Sequence, residues 1–267
     1  MDIKEGLKEV FASLQKKRAL VHHITNYVTV NDCANVVLAI GASPIMADEI
    51  SEVEEMVGIC DALVLNIGTA NERTIASMLK AGSAANAKGI PVVLDPVGIG
   101  ATAFRHTSVE TLMKAITFSV IRGNMAEIKT IAGLEAKSAG VDSLEEERDG
   151  STIALHLAQR LGCVIAITGK TDLVSDGKVC YALNNGDSAL TNVTGTGCMS
   201  ASLIGSFLAA SNNALTSAIA GILTMSIAGE LAEKDKGMGT FHTSLIDRIS
   251  QMNVQTLLAK SKISCIK

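Results

Sequence analysis

The sequence predicts an α/β fold, a mostly parallel central sheet with helices on both faces. Three observations carry that reading. Short apolar runs ending in a polar residue or a glycine alternate with helical patterns along the chain. Runs such as Val92-Val93-Leu94 and Val164-Ile165-Ala166-Ile167 are apolar on successive residues, as strands covered on both faces are. No internal repeat and no long linker interrupts the order, so residues 1–267 are expected to form one domain.

The elements follow in order. Residues 1–17 form a charged amphipathic stretch without the apolar centre of a secretory signal. Apolar runs at 20–25, 42–46, 62–67, 91–95, 118–122 and 163–168 read as strands. Helical patterns occupy 30–40, 71–88, 125–132 and 151–161, with an acidic segment at 49–55 and a polar, exposed stretch at 135–150. Residues 172–175 and 178–183 flank Asp176-Gly177 and read as a hairpin. Helices at 198–210, 214–233 and 245–260 complete the chain.

Composition narrows the function classes. With 48% hydrophobic and 19% charged residues the chain is not disordered. A net charge of −4 and the lack of a basic run argue against a nucleic-acid partner. The longest stretch without Asp, Glu, Lys or Arg, 188–229, is broken by a Thr/Gly-rich loop at 191–197 and by Asn212-Asn213. The remaining pieces are shorter than the ~20 residues of a membrane span, so buried helices are expected and no membrane partner. Six scattered cysteines include no Cys-x-x-Cys pair and none at metal-ligand spacing from a histidine. Reduced thiols in a cytoplasmic protein are expected, five of the six as small core residues.

In an open parallel sheet, ligands bind beyond the carboxyl ends of the strands. Those ends offer Asn66 and Gly68, Asp95, Arg122 and Asn124, then Thr168 and Gly169. Gly169-Lys170-Thr171 resembles the end of a Walker A loop, but Val164 stands where that loop needs its first glycine. Residues 98–103 fit the dinucleotide pattern G-x-G-x-x-A, with Arg122 on the next strand able to meet a 2′-phosphate. An NADP-dependent oxidoreductase is therefore one rival reading. Thr194-Gly195-Thr196-Gly197-Cys198, opening a helix, is the sharper signal: glycines let backbone N–H groups converge where the helix terminus adds positive partial charge. Asn124-Met125-Ala126-Glu127 reads as a capping box, and also as a means of placing Glu127 near Asp95 so that two carboxylates hold Mg²⁺. The adjacent His22 and His23 point to opposite faces of a strand, which suits a structural or solvent-facing role better than a metal site.

Together these segments resemble the hydroxyethylthiazole kinase family of the ribokinase-like superfamily. The residues that carry the resemblance are Ile24-Thr25-Asn26-Tyr27-Val28-Thr29, Gly41-Ala42-Ser43-Pro44-Ile45-Met46-Ala47, Leu94-Asp95-Pro96-Val97-Gly98, Ile121-Arg122-Gly123-Asn124-Met125, Ile167-Thr168-Gly169-Lys170 and Thr194-Gly195-Thr196-Gly197-Cys198-Met199. The resemblance implies ATP-dependent phosphorylation of the hydroxyl of 4-methyl-5-(2-hydroxyethyl)thiazole in thiamine salvage, with Mg²⁺ as cofactor. It implies nucleotide contacts at Arg122, Thr168 and Gly169, a Mg²⁺ region at Asp95 and Glu127, and substrate contacts at Asn26, Met46 and Gly195. Gly68 joins the acceptor set as a strand-end residue; Asn124, Thr196 and Gly197 join the ATP set. A homotrimer with sites between subunits is also implied.

Most ribokinase-like enzymes carry an aspartate base where this chain has Cys198; within the thiazole kinase branch cysteine is usual. A helix N-terminus is expected to lower the Cys198 pKa towards neutrality, so that the thiol orients the hydroxyl and accepts its proton late. A non-catalytic thiazole-binding protein is a second rival, disfavoured by the retained Asp95, Glu127, Arg122 and glycine loop. A related pyrimidine or vitamin kinase is a third, disfavoured by Cys198 and the Asn26 and Met46 segments.

Overall fold

The computed structural model describes residues 2–134 and 143–266. Its first half alternates helix and strand: α1 (Ile3–Lys16), β1 (Leu20–Ile24), α2 (Val30–Ala39), β2 (Ser43–Met46), α3 (Val53–Ile59), β3 (Ala62–Asn66), α4 (Glu72–Ala87) and β4 (Val92–Asp95). Next come α5 (Ala103–Ala115), β5 (Val120–Asn124), α6 (Met125–Ala132), α7 (Ser143–Leu161) and β6 (Val164–Thr168). The hairpin β7 (Asp172–Ser175) and β8 (Cys180–Leu183) precedes α8 (Thr196–Ala210), α9 (Ala214–Leu231), α10 (Met238–Ser250), α11 (Val254–Lys260) and β9 (Ile263–Cys265).

The described strands form one sheet in the order β2-β1-β3-β4-β5-β6-β7-β8-β9. From β2 to β6 every pairing is parallel, and from β6 onward every pairing is antiparallel. One face packs against α1, α2 and α8 to α11 through a core that includes Leu7, Val36, Phe207, Ile219 and Phe241. The other packs against α3 to α7 through Val57, Met78, Leu112, Ile128 and Leu157. Burial on both sides accounts for the unbroken apolar strands.

Helix α8 lies close on the sheet because it carries small residues. A Cβ at Gly205 would stand 2.5 Å from the side chain of Val64. Helix α9 is long and apolar enough to cross a membrane, yet 78% of it is buried within the protein. Its apolar surface serves the core.

Several expectations shift. The helix expected at 151–161 already begins at Ser143; residues 135–142 of the polar stretch lie outside the described residues. The single helix expected at 245–260 is two, because Asn253 turns extended and caps Thr256 N with its side chain at 2.9 Å. Helix α5 had no visible apolar stripe, burying only Ser108, Val109 and Leu112. The acidic segment at 49–55 leads into α3, and the three-residue β9 is too short and exposed to show a pattern. The hairpin pairs Ser175 with Cys180, so its loop has four residues rather than two. Asp176 Oδ1 shapes that loop by accepting the N–H groups of Lys178 and Val179. Cys33, Cys60, Cys163 and Cys180 are buried as expected, but Cys265 is exposed on the sheet edge.

Candidate active site

Parallel register brings the polar strand ends into one row. Asn66 on β3 stands beside Asp95 on β4, and Asn124 on β5 beside Thr168 on β6. Asn66 donates from Nδ2 to Asp95 Oδ2 at 2.7 Å and accepts Asn26 Nδ2 at 3.0 Å and Gly68 N at 2.8 Å on its Oδ1. Asn26 Nδ2 also donates to Cys198 Sγ at 3.3 Å. Across the row, Asp95 Oδ1 stands 3.5 Å from Arg122 Nη1, and Arg122 Nη2 donates to Thr168 Oγ1 at 2.5 Å. A continuous polar line thus runs Cys198–Asn26–Asn66–Asp95–Arg122–Thr168.

The glycine loop meets this line from above. Gly195 has φ +85°, and a Cβ there would stand 2.4 Å from Thr29. A Cβ on Gly197 would fall 2.5 Å from Arg122 Nη1, so the guanidinium passes over the loop only because that atom is missing. No side chain caps the start of α8, which leaves its first N–H groups to a ligand.

Burial dominates the electrostatics. Desolvation pushes the fully buried Asp95 up to about 6, with Arg122 opposing and Glu127 adding to the rise. Asp172, at the start of β7, is also raised to about 6 by burial; its Oδ1 accepts Gly169 N at 2.9 Å. Cys198 departs from expectation. Burial, then the Asp95 charge, raises its thiol above the ordinary range, although Thr29, Asn66 and Asn26 pull the other way. The helix terminus does not win, and the resting form is the thiol.

Two cavities flank the line. One of about 210 Å³ is lined by His23, Tyr27, Met46, Asn66, Asn71 and Met78, among others. The other, of about 490 Å³, is lined by Arg122, Thr168, Gly169, Asp187, Thr196 and Gly197, among others. The two expected sets, for acceptor and for ATP, therefore fall on different sides of the line. Met46 faces the smaller cavity; Asn26 and Gly68 hold its Asn66 wall; Gly195 packs on Thr29 beside it. Arg122, Thr168, Gly169, Thr196 and Gly197 share the larger one. Asn124 does not: it caps α6 and lines a separate hollow of about 640 Å³ with Gly98, Gly100 and Glu127.

Both roles expected for Glu127 meet at one carboxylate. Its Oε2 accepts Asn124 N at 2.8 Å, closing the capping box, and its Oε1 accepts Gly98 N at 2.9 Å. Asp95 Oδ1, by contrast, is buried without a hydrogen-bond partner. Among the described residues no group of three His, Cys, Asp or Glu could hold a metal ion. Mg²⁺ needs less, since one or two carboxylates plus waters and substrate phosphates suffice. The open Asp95 oxygen fits such an ion; Glu127, with both oxygens engaged, fits as a contact through water.

Some functional neighbours were missed. Arg105 donates to the carbonyls of Ile67, Val97 and Gly68 at 2.7–2.8 Å, fastening the loops after β3 and β4. Its signal was its place in the first turn of a helix that follows a glycine loop. The link between Asn66 and Asn26 had no sequence signal, since 40 residues separate them. His22 and His23 are both buried: His22 Nε2 lies 2.7 Å from Ala47 O and His23 Nδ1 lies 3.1 Å from Val21 O. Burial lowers His23 to about 4, so it is neutral. The loop at 98–103 does enter a helix, but Arg122 is tied to Asp95 and Thr168 and offers it nothing, which removes the support for a 2′-phosphate site.

Known proteins match the chain in sequence and in fold. The model of the hydroxyethylthiazole kinase family matches residues 11–255. A hydroxyethylthiazole kinase of Alkaliphilus oremlandii is 50% identical, over 98% of this chain and 99% of that protein. Its counterpart in Clostridium botulinum (strain Eklund 17B) is 47% identical over 99% and 98%. The solved structure of a hydroxyethylthiazole kinase protein from Pyrococcus horikoshii superposes with a TM-score of 0.91 at 37% identity, covering 98% of this chain and 100% of that one. A ribokinase-like superfamily protein from Enterococcus faecalis shares the fold with a TM-score of 0.67 at 13% identity, covering 93% and 94%. By family match, sequence and architecture, the chain belongs to the hydroxyethylthiazole kinase family.

Proposed function

We propose that this chain transfers the γ-phosphoryl group of ATP to the hydroxyl of 4-methyl-5-(2-hydroxyethyl)thiazole, a step of thiamine biosynthesis or salvage. The observation that carries the reading is the Asp95–Arg122 pair beside an uncapped glycine loop, set between a small cavity and a larger one. The thiazole alcohol occupies the smaller cavity, where Met46 and Asn66 stand in the wall and Asn26 holds Asn66 in place. ATP occupies the larger one, with Arg122, Thr168, Gly169, Thr196 and Gly197 around its phosphates.

Phosphoryl transfer through a loose transition state needs positioning and charge stabilisation more than early proton removal. Arg122 and the N–H groups opening α8 face the charge that develops on the transferring oxygens. Mg²⁺, when bound, neutralises phosphate charge; Asp95 would hold it directly and Glu127 through water. Cys198 rests as a thiol, so its task is to orient the acceptor hydroxyl, whose proton leaves late, as the new P–O bond forms, onto an oxygen of the transferring phosphoryl group.

The full chain acts as one kinase domain in the cytoplasm, and as a homotrimer with each site between neighbours. Tyr27 (79% exposed) and Val28 (55%), beside the smaller cavity, support the trimer as apolar surface that a neighbouring subunit would cover. Coupled measurement of ADP release tests the function. Release that depends on the thiazole alcohol is the expected result; ATP turnover indifferent to that alcohol would overturn it.

A further inference from the structure

Asn66 is 2% exposed and is engaged on both ends of its amide. Its orientation is determined by chemistry. The Gly68 backbone N–H can only donate, so the atom it meets must be the oxygen, and Nδ2 must face Asp95. The same logic fixes Asn26, whose Oδ1 accepts the backbone N–H of Thr29 at 3.1 Å. Its Nδ2 therefore has to face Asn66 Oδ1 and Cys198 Sγ. Both ends of this two-amide bridge donate, one to a carboxylate and one to a sulfur.

We propose that Asn66 is a positioning residue for phosphoryl transfer: through Asn26 it sets the Cys198 sulfur, and directly it sets Asp95, locking thiol and carboxylate to one frame. The inference rests on the role given to Cys198 above. Neither amide carries a proton between the two groups, because each N–H in the bridge donates without being released. With one sulfur lone pair taken by Asn26, the remaining lone pair and the S–H are left for the acceptor hydroxyl. A thiol free to rotate would offer that geometry only part of the time.

The test uses the full chain in the ADP-release assay. Asn66→Asp keeps the oxygen that meets Gly68 and Asn26, and replaces the amide donor to Asp95 by a second carboxyl oxygen that repels Asp95 or shares a proton with it. Misplacement of reacting groups by an ångström costs on the order of 100-fold, so kcat is expected to fall about 10- to 100-fold, with both KM values within about threefold. Asn66→Ser, a smaller change in charge, should show the same split and serves if the aspartate variant does not fold. In a cycle with Cys198→Ala, the Asn66→Ala loss should shrink at least about fivefold, since residues acting as a unit are not additive. An unchanged kcat in folded Asn66 variants, or a rise in acceptor KM alone, would overturn the proposal. Independent, multiplying losses beside a slow Cys198→Ala would overturn it while sparing the thiol's role. Full rate in Cys198→Ala would overturn that role and this inference with it.

Discussion

The two sides of the cleft are built from different materials. The larger cavity is framed largely by loops and turns: strand ends, three glycines (Gly169, Gly186 and Gly197) and the start of α8, backed by residues of α9, with Arg122 among its charged residues lying against the glycine loop. The smaller cavity is lined by residues of β1, β2, β3 and α4, and its polar wall includes the Asn66 amide, held from behind by Asn26. A backbone site tolerates many side chains but few changes at glycine. A side-chain site depends on exact hydrogen-bond direction, so it should be sensitive to isosteric substitutions that leave the backbone site untouched.

The sharpest way to break that contrast is Arg122→Ala. It strips the charge from the larger cavity and leaves Asp95 buried without its cation. We expect kcat/KM for ATP to fall by roughly 100- to 1,000-fold, with acceptor KM much less affected; steady-state kinetics with each substrate varied would show the split. Equal losses for both substrates would mean that the two sides are not separable. Gly197→Ala should reproduce the ATP-side defect in milder form, about 10-fold, by displacing the guanidinium rather than removing it.

Cys198 tests the other side. Cys198→Ala should lower kcat moderately, by about 3- to 30-fold, given that general-base terms lie at or above that scale when the proton moves early. Cys198→Asp should retain or increase turnover. Because the thiol is raised, alkylation at Cys198 should be slow near pH 7 and accelerate towards alkaline pH. Rapid labelling at neutral pH would contradict the burial argument.

The smallest effect is on stability. A carboxyl raised from 3.8 to about 6 binds its proton more tightly when folded, so Asp95 destabilises the ligand-free fold progressively as pH rises from about 4 to 6. Asp95→Asn, which removes the buried charge, should therefore raise the thermal midpoint at pH 7.5 by a few degrees, roughly 1 kcal/mol, and do nothing at pH 4. The same variant should flatten the Mg²⁺ dependence of the rate. Glu127→Gln separates the two carboxylates: it should loosen the start of α6 by about 1 kcal/mol as a lost cap contact does, with a smaller change in metal dependence. A midpoint for Asp95→Asn that is equal at both pH values would show that Arg122 fully compensates the buried charge.

Legibility in the sequence followed the same division. The succession of strands along the chain, the parallel sheet and the glycine loop were readable because each is written in local pattern: apolar runs, glycine spacing, a capping box at Asn124 and Glu127. Arg122, Thr168, Gly169, Thr196 and Gly197 of the larger cavity were readable for the same reason, whereas its lining from Asn185 to Ser188 and from α9 was not. Helix α5 was not, since it buries too few residues to print a period, and neither was the break at Asn253, a single residue's change of conformation. On the acceptor side, Asn26 was named but its bond to Asn66 was not, because contact between a residue just past β1 and one ending β3 is set by how those strands pair and not by spacing. The Cys198 shift ran against expectation for a related reason: helix position is local and legible, whereas burial depends on the whole fold.

Helix α9 is wrapped by α1 and α8, made before it, and by α10 and α11, made after it. A ribosome adding about 5–20 residues per second leaves this oily cylinder half-clothed for seconds while its last wrappings are translated. Newborn chains should therefore lean on chaperones at that moment, and truncations that remove α10 and α11 should clump rather than merely lose activity.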